Sequence, residues 1–284
     1  MTWRKEWEEG GLGGGGMGGG LQLAFPRMGK ALKILLLINV AVFLANFLFF
    51  LATGQTFAPY LGLSLDSASE RPFLAVLQLI TYQFTHALDP WHLLMNGLML
   101  YFFGSMVEQR YGQRHLLRLY LLSGIAGGVF WLVFSGLVGH LSGVPVIGAS
   151  GAAYGILVFA AFMSPHSRVL LFILFVPLWA VAALLGFLAL YETLVAYRVP
   201  GGGVAHAAHL GGALFGLLWW QLRPWLQQQR FRLQAREQQK GRQRELDEQE
   251  EVDRLLAKVK REGMASLSKS ERKTLTRYSE KLKR

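Results

Sequence analysis

Six long runs of apolar residues, separated by short polar stretches, occupy most of the chain between residues 31 and 222. Each run is about the 17–25 residues that a helix needs to cross a hydrocarbon core, if the flanks of the second run are counted. The pattern therefore predicts an all-α polytopic membrane protein with six transmembrane helices. The predicted spans are Ala31–Ala52, Trp91–Val107, Leu116–Val138, Val144–Met163, Val169–Tyr191 and Val204–Leu222.

The loops between the predicted spans differ in their content of Lys and Arg. Basic residues lie before the first span, between the second and third, between the fourth and fifth, and after the sixth. The opposite loops carry few of them, so the positive-inside rule places both termini on the cytoplasmic side. The longest of these opposite loops, residues 53–90, contains an apolar stretch that Gln78, Gln83 and His86 interrupt. We expect it to lie partly embedded at the outer surface rather than to form a seventh span.

The segments outside the six spans have a different composition and define the predicted domains. Residues 1–29 include the run GGLGGGGMGGG, which predicts a flexible glycine-rich segment. Residues 30–224 form the predicted membrane domain, and residues 225–284 form a basic, helical cytoplasmic extension. In that extension an amphipathic helix is expected to end near Gly263, and Ser268 and Glu271 have the spacing of a capping box.

Composition and charge agree with this interpretation. The chain is 52% hydrophobic and only 17% charged, with a mean hydropathy of +0.30, which is too apolar for an ordinary soluble domain. Of the net charge of +11, residues 223–284 supply 18 Lys/Arg against 10 Asp/Glu. A basic segment beside a membrane faces anionic lipid headgroups, so we expect contact with lipids and no nucleic-acid partner. The absence of cysteine excludes disulfides and thiolate chemistry.

Polar side chains inside the predicted spans concentrate at one depth of the membrane. The six candidates named below fall within about two helical turns of the outer end of a span, so they share a level below the outer surface. Such groups are costly in a bilayer and are usually functional, so the pattern predicts a single site. The side chains are His92 and Asn96 in the second span, Ser150 and Tyr154 in the fourth, and His206 and His209 in the sixth.

Glycines on the fourth and sixth spans favour close contact between these two helices. Small faces of this kind let helices approach each other, which would bring His209 towards Ser150. A serine hydroxyl is a weak nucleophile until a base takes its proton, so this contact is the one that nucleophilic chemistry requires. Alone, Ser150 would more often be a small packing residue. Tyr154, one turn from Ser150, is expected to stack on the His209 ring and orient it.

At these residues the sequence resembles the rhomboid family of intramembrane serine proteases, over about residues 30–222. The motif GASGAAYG at 148–155 is similar to the family's serine motif GxSGxxxG, and AHLGGALFG at 208–216 is similar to its histidine motif. Residues 84–112, which end in the pattern G-x-x-x-E-x-x-x-G, resemble its second span. The long first loop departs from the family because it lacks a clear Trp-Arg pair.

The resemblance implies a six-helix rhomboid bundle with serine endopeptidase activity and no cofactor or metal. It makes Ser150 the nucleophile and His209 the general base, which then acts as the acid for the leaving amine. It makes His92 and Asn96, with the backbone N–H of Ser150, the oxyanion hole. Apart from Glu192 at the far end of the fifth span, no Asp or Glu is expected within reach, so a Ser-His dyad fits better than a triad. The supporting residues are Tyr154, Gly148, Gly151 and Gly212.

The resemblance also implies the substrates, which are transmembrane segments of other membrane proteins with small residues at the cleavage site. A continuous helix hides its carbonyl groups, so such a segment must unwind before it is cut. We expect an integral protein of a bacterial plasma membrane, with its active site open to the outer, periplasmic side. The sequence does not identify a partner for the C-terminal extension.

Other interpretations of the same residues remain. His206 competes with His209 for the role of base, although only His209 is followed by two glycines. A zinc site built from His92 and these two histidines is conceivable, but no carboxylate is expected at that depth.

A catalytically inactive rhomboid relative that binds membrane clients would not need all of the polar residues. A transporter would place them at the midplane and would show an inverted repeat.

Overall fold

The computed structural model of the chain describes residues 26–139, 143–171, 174–198 and 206–282. The described residues are helical except for short connections and one small hairpin, which confirms the all-α class. They divide into two compact units, Met1–Leu217 and Leu218–Arg284. The predicted glycine-rich segment 1–29 lies almost entirely outside the described residues.

The first unit contains nine complete helices among its described residues and the start of a tenth. Before the hairpin the helices are α1 (Lys30–Thr53), α2 (Ala58–Leu61), α3 (Leu65–Glu70), α4 (Pro72–Thr81), α5 (Pro90–Met99), α6 (Ser105–Tyr111), α7 (Gln113–Val138) and α8 (Ser150–Met163). Next come strands β1 (Arg168–Leu171) and β2 (Leu174–Pro177), and then helix α9 (Leu178–Arg198). Helix α10 (His206–Glu262) begins in the first unit and continues into the second, which ends with α11 (Lys269–Leu282).

Three of the described helices, α1, α7 and α9, are long and apolar enough to cross a membrane. The stretch Pro72–Phe84 and helix α8 are apolar but shorter. Helices α5 and α6 are joined without a break by a π-helical segment, Leu100–Gly104, so the second predicted span is one helical rod. The total of six crossings stays a prediction.

The fourth predicted span, Val144–Met163, is wrong at its start, because α8 begins only at Ser150. Val146 instead forms an antiparallel bridge with Leu63, with N–H···O distances of 2.8 and 3.1 Å. Pro145 disfavours a helical residue before it, and Gly148 has a φ of +116°, which a right-handed helix cannot contain.

The fifth predicted span, Val169–Tyr191, is also wrong at its start. Its first residues form the antiparallel hairpin β1–β2, in which Val169 pairs with Val176. An uninterrupted apolar run does not distinguish a strand from a buried helix. Pro177 ends the hairpin directly before α9, at a place where its missing N–H costs the helix nothing.

Polar side chains of the first unit fix the long loop through backbone atoms. The buried amide of Asn46 on α1 donates to the His86 carbonyl at 3.0 Å and accepts from the Phe57 N–H at 2.7 Å, so it holds both ends of the loop. The Tyr82 hydroxyl donates to the Gly124 carbonyl of α7 at 2.5 Å. These bonds satisfy backbone groups that would be costly to leave unpaired in a membrane.

Glu108, in the G-x-x-x-E-x-x-x-G pattern, caps the start of α1. Its two carboxylate oxygens accept from the N–H groups of Ala31 at 2.9 Å and Leu32 at 3.0 Å. A carboxylate at a helix N-terminus satisfies unpaired donors and interacts favourably with the helix dipole. Glu108 therefore ties α6 to α1 and has a structural role.

Helices α8 and α10 approach each other through glycines. A Cβ atom on Gly212 would collide with the carbonyl oxygen of Gly151, and one on Gly216 would collide with that of Gly155. A Cβ atom on Gly155 would overlap the side chain of Ser123 from α7 and would also lie 2.8 Å from the Gly212 carbonyl oxygen of α10. Helix α8 is therefore in close contact with both α7 and α10 at its glycines.

The second unit contains a small helical module around α11. Helix α10 ends at Glu262 and is followed by Gly263 with a φ of +83°, which confirms the helix end expected there. The Ser268 N–H donates to the Glu271 carboxylate at 2.7 Å, and the Glu271 N–H donates to the Ser268 hydroxyl at 3.2 Å, so the capping box is confirmed. Lys258 of α10 pairs with the same carboxylate at 3.0 Å. The buried apolar side chains of the module are Val252, Leu255 and Leu267.

The glycine contact predicts a defined loss of stability. Gly212→Ala should destabilise the membrane domain by roughly 1–3 kcal/mol, because its methyl group would force α10 away from the Gly151 carbonyl. Gly186→Ala on α9 is the control, since a Cβ atom there meets nothing within 4 Å. Unfolding free energies in mixed micelles would measure both. Equal stability of the two variants would contradict the proposed tight contact.

The capping box predicts a pH dependence for the module. The Ser268 N–H, followed by the Lys258 ammonium, lowers the pKa of Glu271 from 4.5 to about 2. A depressed carboxyl pKa contributes stability that is present above the unfolded value and is lost as the pH falls from about 4.5 towards 2. Hydrogen-exchange protection of α11 in the full chain, corrected for intrinsic rates, should fall over that interval. Glu271→Gln should be less protected at pH 7 and should show a smaller fall, and identical profiles would refute the role of Glu271.

Candidate active site

Ser150 is the first residue of α8 and follows a turn that only glycine accommodates well. Gly148 has a φ of +116°, and a Cβ atom there would also come within 2.9 Å of His92 Nε2. The turn is held by the Gly148 N–H, which donates to the Tyr82 carbonyl at 2.9 Å. Position 150 therefore presents a half-buried hydroxyl beside the free N–H groups of a helix start.

His209 lies one turn after the start of α10 and contacts this hydroxyl. The distance from His209 Nε2 to Ser150 Oγ is 2.6 Å, within the range in which a base takes a proton directly. The contact depends on the glycine packing of α8 against α10, since Gly151 and Gly212 follow the two side chains on their helices. The structure thus brings together the two residues that the sequence paired.

Two aromatic rings fix the His209 imidazole. The Tyr154 ring of α8 is stacked on it, with centroids 4.4 Å apart and an interplanar angle of 6°. His206 approaches edge-on, with centroids 5.5 Å apart and an angle of 87°. His209 Nδ1 is buried and has no hydrogen-bond partner among the described residues. Glu192 Oε2 of α9 lies 3.9 Å from His206 Nε2, so this acid is paired with His206.

The imidazole of His92, near the start of α5, places its Nε2 atom beside Gly148, in the turn that precedes Ser150. The Ala87 N–H donates to His92 Nδ1 at 3.4 Å, which assigns the ring proton to Nε2 in the neutral form. A Cβ atom on Gly148 would lie 2.9 Å from this Nε2 and 3.8 Å from Ser150 Oγ. A ring N–H donor therefore borders the space beside the nucleophile.

Asn96 lies one turn further along α5 and is 4% exposed. Its Nδ2 donates to the carbonyl of His92 at 2.8 Å, and its Oδ1 has no partner among the described residues. One amide hydrogen is thus engaged within the helix, while the second is available to a neighbouring acceptor. The hydrogen bond also fixes the backbone at His92.

Several residues that matter to the geometry were missed in the sequence. The Tyr82 carbonyl holds the Gly148 turn, and the Ala87 N–H sets the His92 tautomer. The His86 ring lies 5.2 Å from the His92 ring, centroid to centroid. Contacts made by backbone atoms cannot be predicted from the identity of the residues. The polar residues in the apolar stretch of the first loop, including His86, could have indicated that this loop contributes to the site.

The arrangement fits nucleophilic chemistry better than metal binding. A hydroxyl and an imidazole are in contact, and N–H donors of Ser150 and His92 stand next to them. Within the described ranges, no three His, Asp or Glu side chains are grouped so that they could hold a metal ion. The conceivable zinc site of His92, His206 and His209 is therefore not formed as a ligand cluster.

Comparison with known proteins gives two matches to protein families. A family described as Rhomboid domain matches residues 74–223, and a Family of unknown function (DUF6576) matches residues 234–281. The first match covers more than half of the chain and includes every candidate site residue. It confirms the family resemblance seen in the motifs.

Individual relatives agree with this result. Rhomboid protein 1, mitochondrial, of Saccharomyces cerevisiae is 37% identical over 161 residues, which are 56% of this chain and 46% of that protein. RHOMBOID-like protein 12, mitochondrial, of Arabidopsis thaliana is 32% identical over 155 residues, 50% of this chain and 45% of that protein. Rhomboid-like protein 11, chloroplastic, of Arabidopsis thaliana is 30% identical over 192 residues, 65% of this chain and 62% of that protein. The chain spans about half the length of the two mitochondrial relatives.

These relatives overturn the predicted localisation. The expectation of a bacterial plasma membrane, with a site open to the periplasm, is wrong, because the relatives are named as mitochondrial or chloroplastic proteins. The distribution of Lys and Arg orients a chain across a membrane but does not identify which membrane it is.

The stacked tyrosine predicts a graded effect on the reactivity of Ser150. Tyr154→Leu should slow the reaction of Ser150 with a fluorophosphonate by roughly three- to tenfold, because the His209 ring loses its aromatic support. Tyr154→Phe keeps the ring and serves as the matched control, with little expected change. Labelling rates of the purified full-length variants would test this. An equal slowing in both variants would mean that the hydroxyl, not the stacking, matters.

Proposed function

Because the chain belongs to the rhomboid family, we propose that it is an intramembrane serine endopeptidase in which Ser150 and His209 form a catalytic dyad. The observation that carries this proposal is the 2.6 Å contact between His209 Nε2 and Ser150 Oγ. Neighbouring N–H donors and a fixed imidazole supply the other parts that acyl transfer requires.

In the first half of the reaction, His209 Nε2 takes the proton of Ser150 Oγ as that oxygen attacks the carbonyl carbon of the substrate. The negative charge that develops on the carbonyl oxygen is stabilised by the Ser150 N–H and by the Nε2–H of neutral His92. Asn96 supports this pocket with its second amide hydrogen and holds the His92 backbone. His209 then gives its proton to the amine nitrogen, the C–N bond breaks, and an ester on Ser150 remains.

In the second half, water replaces the departed amine. Its oxygen attacks the ester carbon while one proton passes to His209 Nε2. That proton returns to Ser150 Oγ as the C–O bond breaks, which restores the enzyme. Tyr154 and His206 maintain the orientation of the imidazole through these steps, the task that a carboxylate performs in a triad.

The substrates are proposed to be transmembrane proteins whose helix unwinds near the active site, since only an extended segment exposes its carbonyl groups. Small residues at the cut would fit beside the glycine-rich face of α8. The protein is proposed to contact membrane lipids and to have no nucleic-acid partner. The names of its relatives, which are mitochondrial or chloroplastic proteins, support an organellar membrane as its location.

The rival function is that of an inactive rhomboid relative that binds membrane clients. Binding alone does not require a serine and a histidine in hydrogen-bond contact, nor a ring N–H directed at the same place. The geometry therefore favours the enzyme.

Cleavage of a single-span model substrate in proteoliposomes tests the proposal. Ser150→Ala and His209→Ala should each lower the cleavage rate by roughly 10³-fold or more, because neither half of the dyad works without the other. Ser135→Ala, buried in α7, and His166→Ala, exposed after α8, are matched controls that should retain the activity. Cleavage that survives in both dyad variants would contradict the proposal. Absence of cleavage by the native chain across substrates would favour the client-binding function.

A further inference from the structure

A carboxylate stands close to the dyad without a role in the reaction above. Glu192 is the only acidic residue of α9, and its Oε2 lies 3.9 Å from His206 Nε2. The His206 ring in turn contacts the His209 ring, whose Nε2 reaches Ser150. A chain of contacts therefore leads from the nucleophile to the acid.

His206 and Glu192 are partly exposed, with 31% and 41% of their side-chain surface accessible. Ser150 and His209 are half-buried, and His209 is held between two rings. The pair therefore presents accessible surface next to the reaction centre.

The Glu192 carboxylate has unused capacity to bind a cation. A separation of 3.9 Å from His206 is longer than a hydrogen bond, and no described residue donates a hydrogen bond to Glu192. An acid on a membrane helix is costly unless it is paired, which makes it a candidate functional residue. Lys and Arg are the side chains whose charge would offset that cost.

The chemistry of His209 shows which part of the substrate passes this pair. His209 protonates the leaving amine, so its ring stands on the side from which the C-terminal fragment departs. His206 contacts the His209 ring, and Glu192 lies beside His206. An extended peptide advances about 3.3 Å per residue, so the carboxylate is within reach of a side chain about two to four residues after the cut.

We propose that Glu192 and His206 form a substrate subsite that takes a Lys or Arg side chain about two to four residues C-terminal to the scissile bond. This inference rests on the proposed peptidase function and specifies one feature of its substrates. The acid binds the cation, and the His206 ring lines the same space.

A charge scan of the substrate tests the subsite. Single-span substrates in proteoliposomes would carry Lys, Gln or Glu at each of the four positions after the mapped cut. The native chain should favour Lys over Gln in kcat/KM by about tenfold at one or two positions. Glu192→Gln should bring this ratio close to one, and Glu192→Lys should instead favour Glu in the substrate. Each ratio is measured within one variant, so it is independent of how much protein folds.

The control is Glu70→Gln, which removes an exposed acid of α3 and should keep the native ratio. A native ratio near one at every position would overturn the subsite, as would a preference for Lys that survives Glu192→Gln. In either case, cleavage that depends on Ser150 would leave the proposed function intact. If the native chain cleaves no substrate of the series and Ser150 does not react with a fluorophosphonate, the proposed function fails, and the subsite fails with it.

Discussion

The close approach of α8 and α10 is the contact on which the site depends. Ser150 and His209 are 59 positions apart in the sequence and lie on different helices. They meet at 2.6 Å because Gly151 and Gly212 present no side chains where the two backbones touch. The same contact places Tyr154 of α8 flat against the imidazole of α10. Packing by small residues, which is the usual means of joining helices in a membrane, here also assembles the reacting groups.

The surrounding frame is held by polar side chains that bind backbone atoms. Glu108 caps α1, Asn46 holds both ends of the long loop, and the Tyr82 carbonyl holds the turn before Ser150. Each bond satisfies a group that would otherwise be unpaired in an apolar environment. These bonds also fix the positions of the site residues, because the loop leads to His92 and the turn leads to Ser150.

The sequence predicted the parts of this structure that depend on local pattern. Helices α1 and α7 begin and end within a few residues of the predicted spans, because long apolar runs define them. The starts of the fourth and fifth spans were wrong, because a bridge to Leu63 and a hairpin replace helix within apolar sequence. The depth and spacing of polar residues, together with the family motifs, identified the site candidates on three helices. It could not show that the Asn96 amide bonds to its own helix or that Glu192 lies beside His206, since both depend on tertiary packing.

The most direct test of the account is to trap its covalent intermediate. Native enzyme mixed with a single-span substrate would be quenched in acid within milliseconds to seconds, digested, and examined by mass spectrometry. The Ser150–His209 dyad predicts the N-terminal substrate fragment attached through an ester to the peptide that contains Ser150, with no such adduct formed by His209→Ala. A substrate that is cleaved without any adduct, or an adduct on another residue, would contradict the role of Ser150 as the nucleophile.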